Sequence, residues 1–107
     1  MSTERIRELN DAFRRTFIGG RVVMTAGVTA LAADTQAKVL TKVRTFDDFT
    51  ADNDPHGEHD FGNFMLAARK FFWKIEYYDA KMEFGSEDPA DSSKTTRVLT
   101  IMLAEEY

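Results

Sequence analysis

Cysteine is absent from the 107 residues. Its absence excludes disulfide frameworks, thiolate zinc sites and cysteine nucleophiles, and removes any sign of an oxidising compartment. Proline is scarce: the chain has two, Pro55 and Pro89, both among turn-forming residues. No apolar run approaches the roughly 20 residues that span a bilayer. The opening MSTERIRELNDAFRR alternates charge where a signal peptide would carry an apolar core. No membrane association is expected, and the cytoplasm is the expected compartment. Positive charge is in deficit, with 14 Lys and Arg against 18 Asp and Glu, a net charge of -4 and a pI near 5.1. Broad binding of nucleic acid needs a positive surface and is disfavoured, whereas a basic protein partner is not. Internal repeats, low-complexity tracts and linkers are also missing.

The chain is well supplied with core material. Hydrophobic residues make up 43% and aromatics 12%, with nine Phe, three Tyr and Trp73. A chain of this size buries roughly 60–65% of its unfolded surface, so residues 1–107 are expected to form one domain without help from a structural metal.

Periodicity predicts the elements. Ile6, Leu9, Phe13 and Phe17 recur at spacings of three and four, predicting a helix over 3–17. Ser2 or Thr3 would cap it, Arg14 and Arg15 would complement the negative end of its dipole, and Gly19-Gly20 would stop it. Arg21 to Leu31 is β-branched and reads as a strand, with Gly27 as a bulge or close-packing point. Asp34 would cap a helix through Arg44, with Ala37, Val39, Leu40 and Val43 inward and Lys38, Lys42 and Arg44 outward. Asp60 to Leu66 and Lys70 to Asp79 read as a hairpin joined around Ala67-Ala68-Arg69. In its second strand Phe71, Trp73, Ile75 and Tyr77 should face the core, alternating with Phe72, Lys74, Glu76 and Tyr78. GSEDPADSS, residues 85–93, reads as a surface loop. Thr95 to Ala104 favours a strand over a helix, covered on both sides or central in its sheet. The expected fold is α+β: one mostly antiparallel sheet of about four strands, with two helices packed on one face.

Chemistry concentrates between Phe46 and Phe64. Asp47, Asp48, Asp52, Asp54, Glu58 and Asp60 fall here with His56 and His59, the only histidines, and no Lys or Arg occurs from Thr45 to Ala68. Carboxylates this close repel unless a cation, backbone N–H groups or a basic partner satisfies them. A metal is one answer. In an extended segment Asp52, Asp54, His56, Glu58 and Asp60 would project to one side. The calcium-loop template is met only in part, because His56 takes its fifth position and Asn63 its closing one. His56, His59 and a carboxylate would suit Zn, Mn or Fe. Catalysis is a second answer, with His59 as general base beside Glu58 and Asp60. Neither a nucleophile motif nor a phosphate loop accompanies it, and Asp60-Phe61-Gly62 copies a kinase triplet without the other kinase elements.

Two further readings need no reaction. Asp52, Asn53, Asp54, Pro55 and Gly57 are residues that build tight turns through side-chain to backbone hydrogen bonds. An acidic loop flanked by aromatics can also dock on a basic partner, with Asp47, Asp48, Asp52, Asp54, Glu58 and Asp60 as its contacts. The leading expectation is a non-enzymatic binding protein with no cofactor. The alternative is a metal-dependent hydrolase, acting for instance on phosphodiesters, with Asp52, Asp54, His56, Glu58 and His59 as ligands. A homodimer is compatible with either.

Five segments carry a resemblance: LNDAFRRTFIGGRVVMT, FTADNDPHGEHDFG, FFWKIEYYD, GSEDPAD and RVLTIMLAEEY. Through them the chain resembles, over essentially its full length, a family of small bacterial proteins of unknown function often carried on plasmids and other mobile elements. The resemblance implies no activity, cofactor or site residue. It implies a setting in which small binding proteins modulate host proteins, including inhibitors of defence systems of the anti-CRISPR or anti-restriction kind.

Overall fold

A computed structural model of the protein describes residues 2–107. Helix α1 (Ser2–Thr16) leads to strand β1 (Gly20–Met24), a single helical turn α2 (Ala26–Thr29) and helix α3 (Ala33–Arg44). After the acidic loop come β2 (Phe61–Leu66), β3 (Arg69–Tyr78) and β4 (Thr96–Leu103), and a 3-10 turn at Ala104–Glu106 follows. The sheet order is β1-β4-β3-β2, with β1 parallel to β4 and the other neighbours antiparallel. The fold is therefore α+β with a mostly antiparallel sheet of four strands.

One face of the sheet carries the core. Phe71, Trp73 and Ile75 of β3 and Leu99, Ile101 and Leu103 of β4 pack against Phe13, Val28, Val39 and Val43 of the helices. Trp73, Phe71, Leu99, Ile101, Val28, Val39 and Val43 are wholly buried. The alternation expected along residues 70–79 holds, and β4 lies between two strands, as its near-continuous apolar run requires. On the opposite face Phe61, Phe72 and Tyr107 cluster, with ring centroids 5.1–6.0 Å apart. Phe72 stands opposite Met102 in the register, and Met102 is buried there.

Several local expectations give way. The helix begins at Ser2, so Thr3 lies inside its first turn rather than capping it, and the Ser2 side chain lies outside the described residues. Its last residue is Thr16, because Phe17 takes a left-handed φ of 61° and donates its N–H back to Phe13 O. Arg14 does not cap its own helix. Its side chain is buried and donates to Val43 O and Arg44 O, so it satisfies the end of α3 instead. The strand expected over 21–31 ends at Met24 and turns into α2. Gly27 is helical there rather than a bulge, and of its two expected roles it fills that of a close-packing point: its N–H donates to the Glu106 carboxylate, and a Cβ on it would stand 2.6 Å from that carboxylate. Two helices were expected and three form among the described residues, α2 being the addition. Asp34 lies in the first turn of α3, one residue inside the helix start at Ala33.

The β2–β3 turn stores strain. Ala67 and Ala68 both have positive φ, 53° and 62°, the conformation of a type I′ turn that Asn-Gly fits and alanine does not. Replacing Ala67→Asn and Ala68→Gly together is expected to stabilise the protein by about 1–2 kcal/mol, read as a higher urea midpoint with unchanged m.

Candidate functional site

The acidic loop is pinned at its entry by aromatic packing. Phe46 meets Phe49 and Trp73 edge-on at 5.0 and 5.5 Å, and Phe49 meets Trp73 at 6.1 Å. Beyond it the polar residues build turns. Asn53 Oδ1 accepts from Thr50 N, Asn53 Nδ2 donates to Asp48 O, and Asp54 N donates to Thr50 O. Gly57 takes φ 69° and His59 φ 55°, so the segment curls. The alternation that would have aimed Asp52, Asp54, His56, Glu58 and Asp60 to one side requires an extended chain and is not realised. Among the described residues no three His, Asp or Glu side chains are placed to hold one ion.

The two histidines part company. His56 is exposed, while His59 stacks flat on Phe49, with centroids 3.7 Å apart and planes within 2°. The His59 ring lies between two carboxylates: Nδ1 is 2.9 Å from Asp11 Oδ1, and Nε2 is 3.6 Å from Asp54 Oδ2. Asp54 Oδ1 also accepts the His59 backbone N–H, which holds the strained φ in place. The partners of His59 are thus Asp11 and Asp54, not its neighbours Glu58 and Asp60. With both ring nitrogens facing carboxylates, His59 is built as a clasp between α1 and the loop. Asp11 in turn pairs with Arg14 at 3.2 Å, and Arg14 lies over the rings of Phe49 and Trp73. Burial pulls the Arg14 guanidinium below its usual range, and Asp11 opposes that shift.

A second clasp joins the end of the loop to the sheet. Tyr77 donates its hydroxyl to Glu58 Oε1 at 2.8 Å and accepts from Asn10 Nδ2 at 2.8 Å. Asn10 Oδ1 accepts from Arg97 Nε at 2.7 Å, and Asn10 Nδ2 also donates to Glu58 O. Arg97 is buried, donates to Pro89 O and lies 5.3 Å over the Tyr77 ring. Burial raises the Tyr77 hydroxyl above its ordinary value, and Glu58 adds to the effect, so the phenol stays protonated and remains a donor. Arg7 fixes the loop once more by donating to Gly57 O.

The expected contact residues therefore divide. Asp47, Asp48 and Asp52 are exposed, and none of them makes an ion pair among the described residues. Asp54, Glu58 and Asp60 are half-buried, and the first two are spent on the clasps. The clasp partners Asn10, Asp11, Arg14, Tyr77 and Arg97 were not singled out as site residues from sequence. Asn10 nevertheless falls on the Ile6–Phe13 stripe, and Arg97 shares a strand face with Leu99, Ile101 and Leu103, so each is a polar residue at an apolar position.

Asp60 makes a pH prediction. Burial, reinforced by Glu58, pushes its carboxyl above the ordinary value. Such a group binds more protons in the native than in the unfolded state, so stability falls as pH rises from the ordinary value through the raised one. Asp60→Asn is expected to raise the melting temperature at neutral pH, with the gain vanishing below the ordinary carboxylate range. Melting scans of both proteins across that range check it.

No helix among the described residues is long and apolar enough to cross a membrane. No curated protein and no solved structure matches the chain. One family profile does, and it begins at Met24, so α1 and most of β1 precede the matched stretch. With residues 24–106 matched, the chain belongs to the family described as a protein of unknown function (DUF3768).

Proposed function

We propose that the protein is a non-catalytic binding protein that docks its acidic loop on a basic surface of a partner protein. One observation carries the reading: Asp47, Asp48 and Asp52 stand exposed and free of ion pairs among the described residues, on a loop tied to the fold by Phe46, Phe49, His59 and Glu58. A loop ordered before encounter gives up little conformational entropy on binding, and fixed carboxylates steer a basic partner. Asp54, Glu58 and Asp60 belong to the support of this surface. The narrower role, a mobile-element inhibitor of a bacterial defence system, rests on the sequence resemblance.

The test is a comparison of wild type with the Asp47→Asn, Asp48→Asn, Asp52→Asn triple variant in partner capture at low and high salt. Wild type is expected to retain a partner that salt releases and that the variant fails to retain, with circular dichroism unchanged. Identical capture by the two proteins would sink the proposal.

A further inference from the structure

The helices pack on one face of the sheet, through Phe13, Val28, Val39 and Val43, and leave the reverse face without a helix among the described residues. Alternation along the strands fixes what stands there. The register sets Arg21, Phe61, Lys70, Phe72, Lys74 and Glu76 on the reverse side of strands whose other side carries Trp73 and Leu99.

Two properties coincide on that face. It is aromatic: Phe61, Phe72 and Tyr107 lie with ring centroids 5.1–6.0 Å apart, and Tyr107 is 73% exposed. It is also positive. The whole chain carries a net charge of -4, yet the described residues of the four strands give this face Arg21, Lys70 and Lys74 against the carboxylate of Glu76. Glu76 is itself engaged, 3.6 Å from Lys74 Nζ and 3.5 Å from the Tyr78 hydroxyl. The lysines stand over the aromatic cluster, Lys70 Nζ 5.5 Å from the Phe72 ring centroid and Lys74 Nζ 6.0 Å from that of Tyr107.

An apolar partner would match the rings but would have to desolvate the ammonium groups among them. A small inorganic anion would match the lysines and make no use of the rings. A single-stranded nucleic acid uses both along its length, stacking bases on aromatic side chains and laying phosphates beside lysine and arginine. We infer that this face binds a single strand of RNA or DNA, with bases on Phe72, Tyr107 and Phe61 and phosphates at Lys70, Lys74 and Arg21. The net charge of the chain disfavours such binding over the whole surface, but a face of the opposite sign acts locally. The acidic loop packs on the helix-bearing side of the sheet, Phe46 against Trp73, so this reading and the docking proposal use different surfaces and are tested separately.

Fluorescence anisotropy of a labelled single strand of about ten nucleotides, made as RNA and as DNA, provides the test. Wild type is expected to bind at low salt with a dissociation constant of roughly 10–100 μM. Three phosphate contacts predict that log K falls with log salt at a slope of about -2. The Lys70→Gln, Lys74→Gln variant should bind more weakly and flatten that slope to about -0.7. Phe72→Ala and Tyr107→Ala should each weaken binding about tenfold or more with the slope unchanged, while Tyr107→Phe keeps the affinity. Tyr107 is exposed, so its loss reads out stacking without disturbing the core, as circular dichroism would confirm. The matching duplex, whose bases are hidden, should bind at least about tenfold more weakly than the single strand. A wild type that binds no single strand overturns the inference, whether the face then takes anionic vesicles, an acidic protein or a second copy. So does binding that is indifferent to both ring truncations, or binding that is equal for strand and duplex.

Discussion

Asp11→Ala is expected to destabilise the protein by about 3–5 kcal/mol, more than any change in the exposed part of the acidic loop. Asp11 is the only carboxylate paired with the Arg14 guanidinium among the described residues, and the Arg14 side chain is 1% exposed. It also holds His59 at 2.9 Å, so its loss leaves a buried cation uncompensated and opens the clasp between α1 and the loop. Asp11→Asn keeps an acceptor for Arg14 and is expected to cost less than Asp11→Ala. Urea unfolding of wild type, Asp11→Ala, Arg14→Met and the double variant closes the cycle. The double variant should cost less than the sum of the singles, with a coupling of roughly 0.5–3 kcal/mol. Additive costs, or an Asp11→Ala cost below about 1 kcal/mol, would show that Arg14 is held by the Val43 and Arg44 carbonyls alone.

Trp73→Ala should cost about 3–5 kcal/mol, a large part of the roughly 5–15 kcal/mol that holds a domain together. Trp73 is wholly buried at the centre of the sheet, with Phe46 and Phe49 edge-on and Arg14 5.2 Å over its ring. The surroundings are poorly able to collapse around the loss. Gly62, opposite in the register, is confined so closely that a Cβ there would stand 2.5 Å from the indole nitrogen. That nitrogen has no hydrogen-bond partner among the described residues. Trp73→Phe gives up the unbonded donor along with part of the ring and is expected to cost clearly less than alanine. Because Phe46 and Phe49 rest on Trp73, the alanine variant should also loosen the loop entry. Faster amide exchange at Phe49 and Thr50 than elsewhere in the chain would report it.

Both expected results turn on contacts of different sequence range. Period alone settles that Phe71, Trp73 and Ile75 stand on one side of their strand, that Leu99, Ile101 and Leu103 stand on one side of theirs, and that Val39 and Val43 turn inward on a helix, because period depends only on backbone geometry and neighbouring residues. Turn formers between Asp52 and Gly57 likewise announce a curled loop, and Phe46 and Phe49 announce its anchor. The β-branched run from Arg21 was misleading. Its second half is taken into α2 by Glu106, which bonds Gly27 N from 79 positions away.

The destinations of the loop carboxylates show the same limit. Asp11 lies 48 positions from His59, Glu58 lies 19 from Tyr77, and Asn10 lies 87 from Arg97. The sequence by itself determined a single α+β domain with a central apolar strand and an acidic loop between its second long helix and its hairpin. The tertiary structure alone decided which carboxylates are spent as clasps and which stay exposed. Local pattern specifies the side of an element on which a residue stands, whereas the group that meets it there depends on how the whole chain packs.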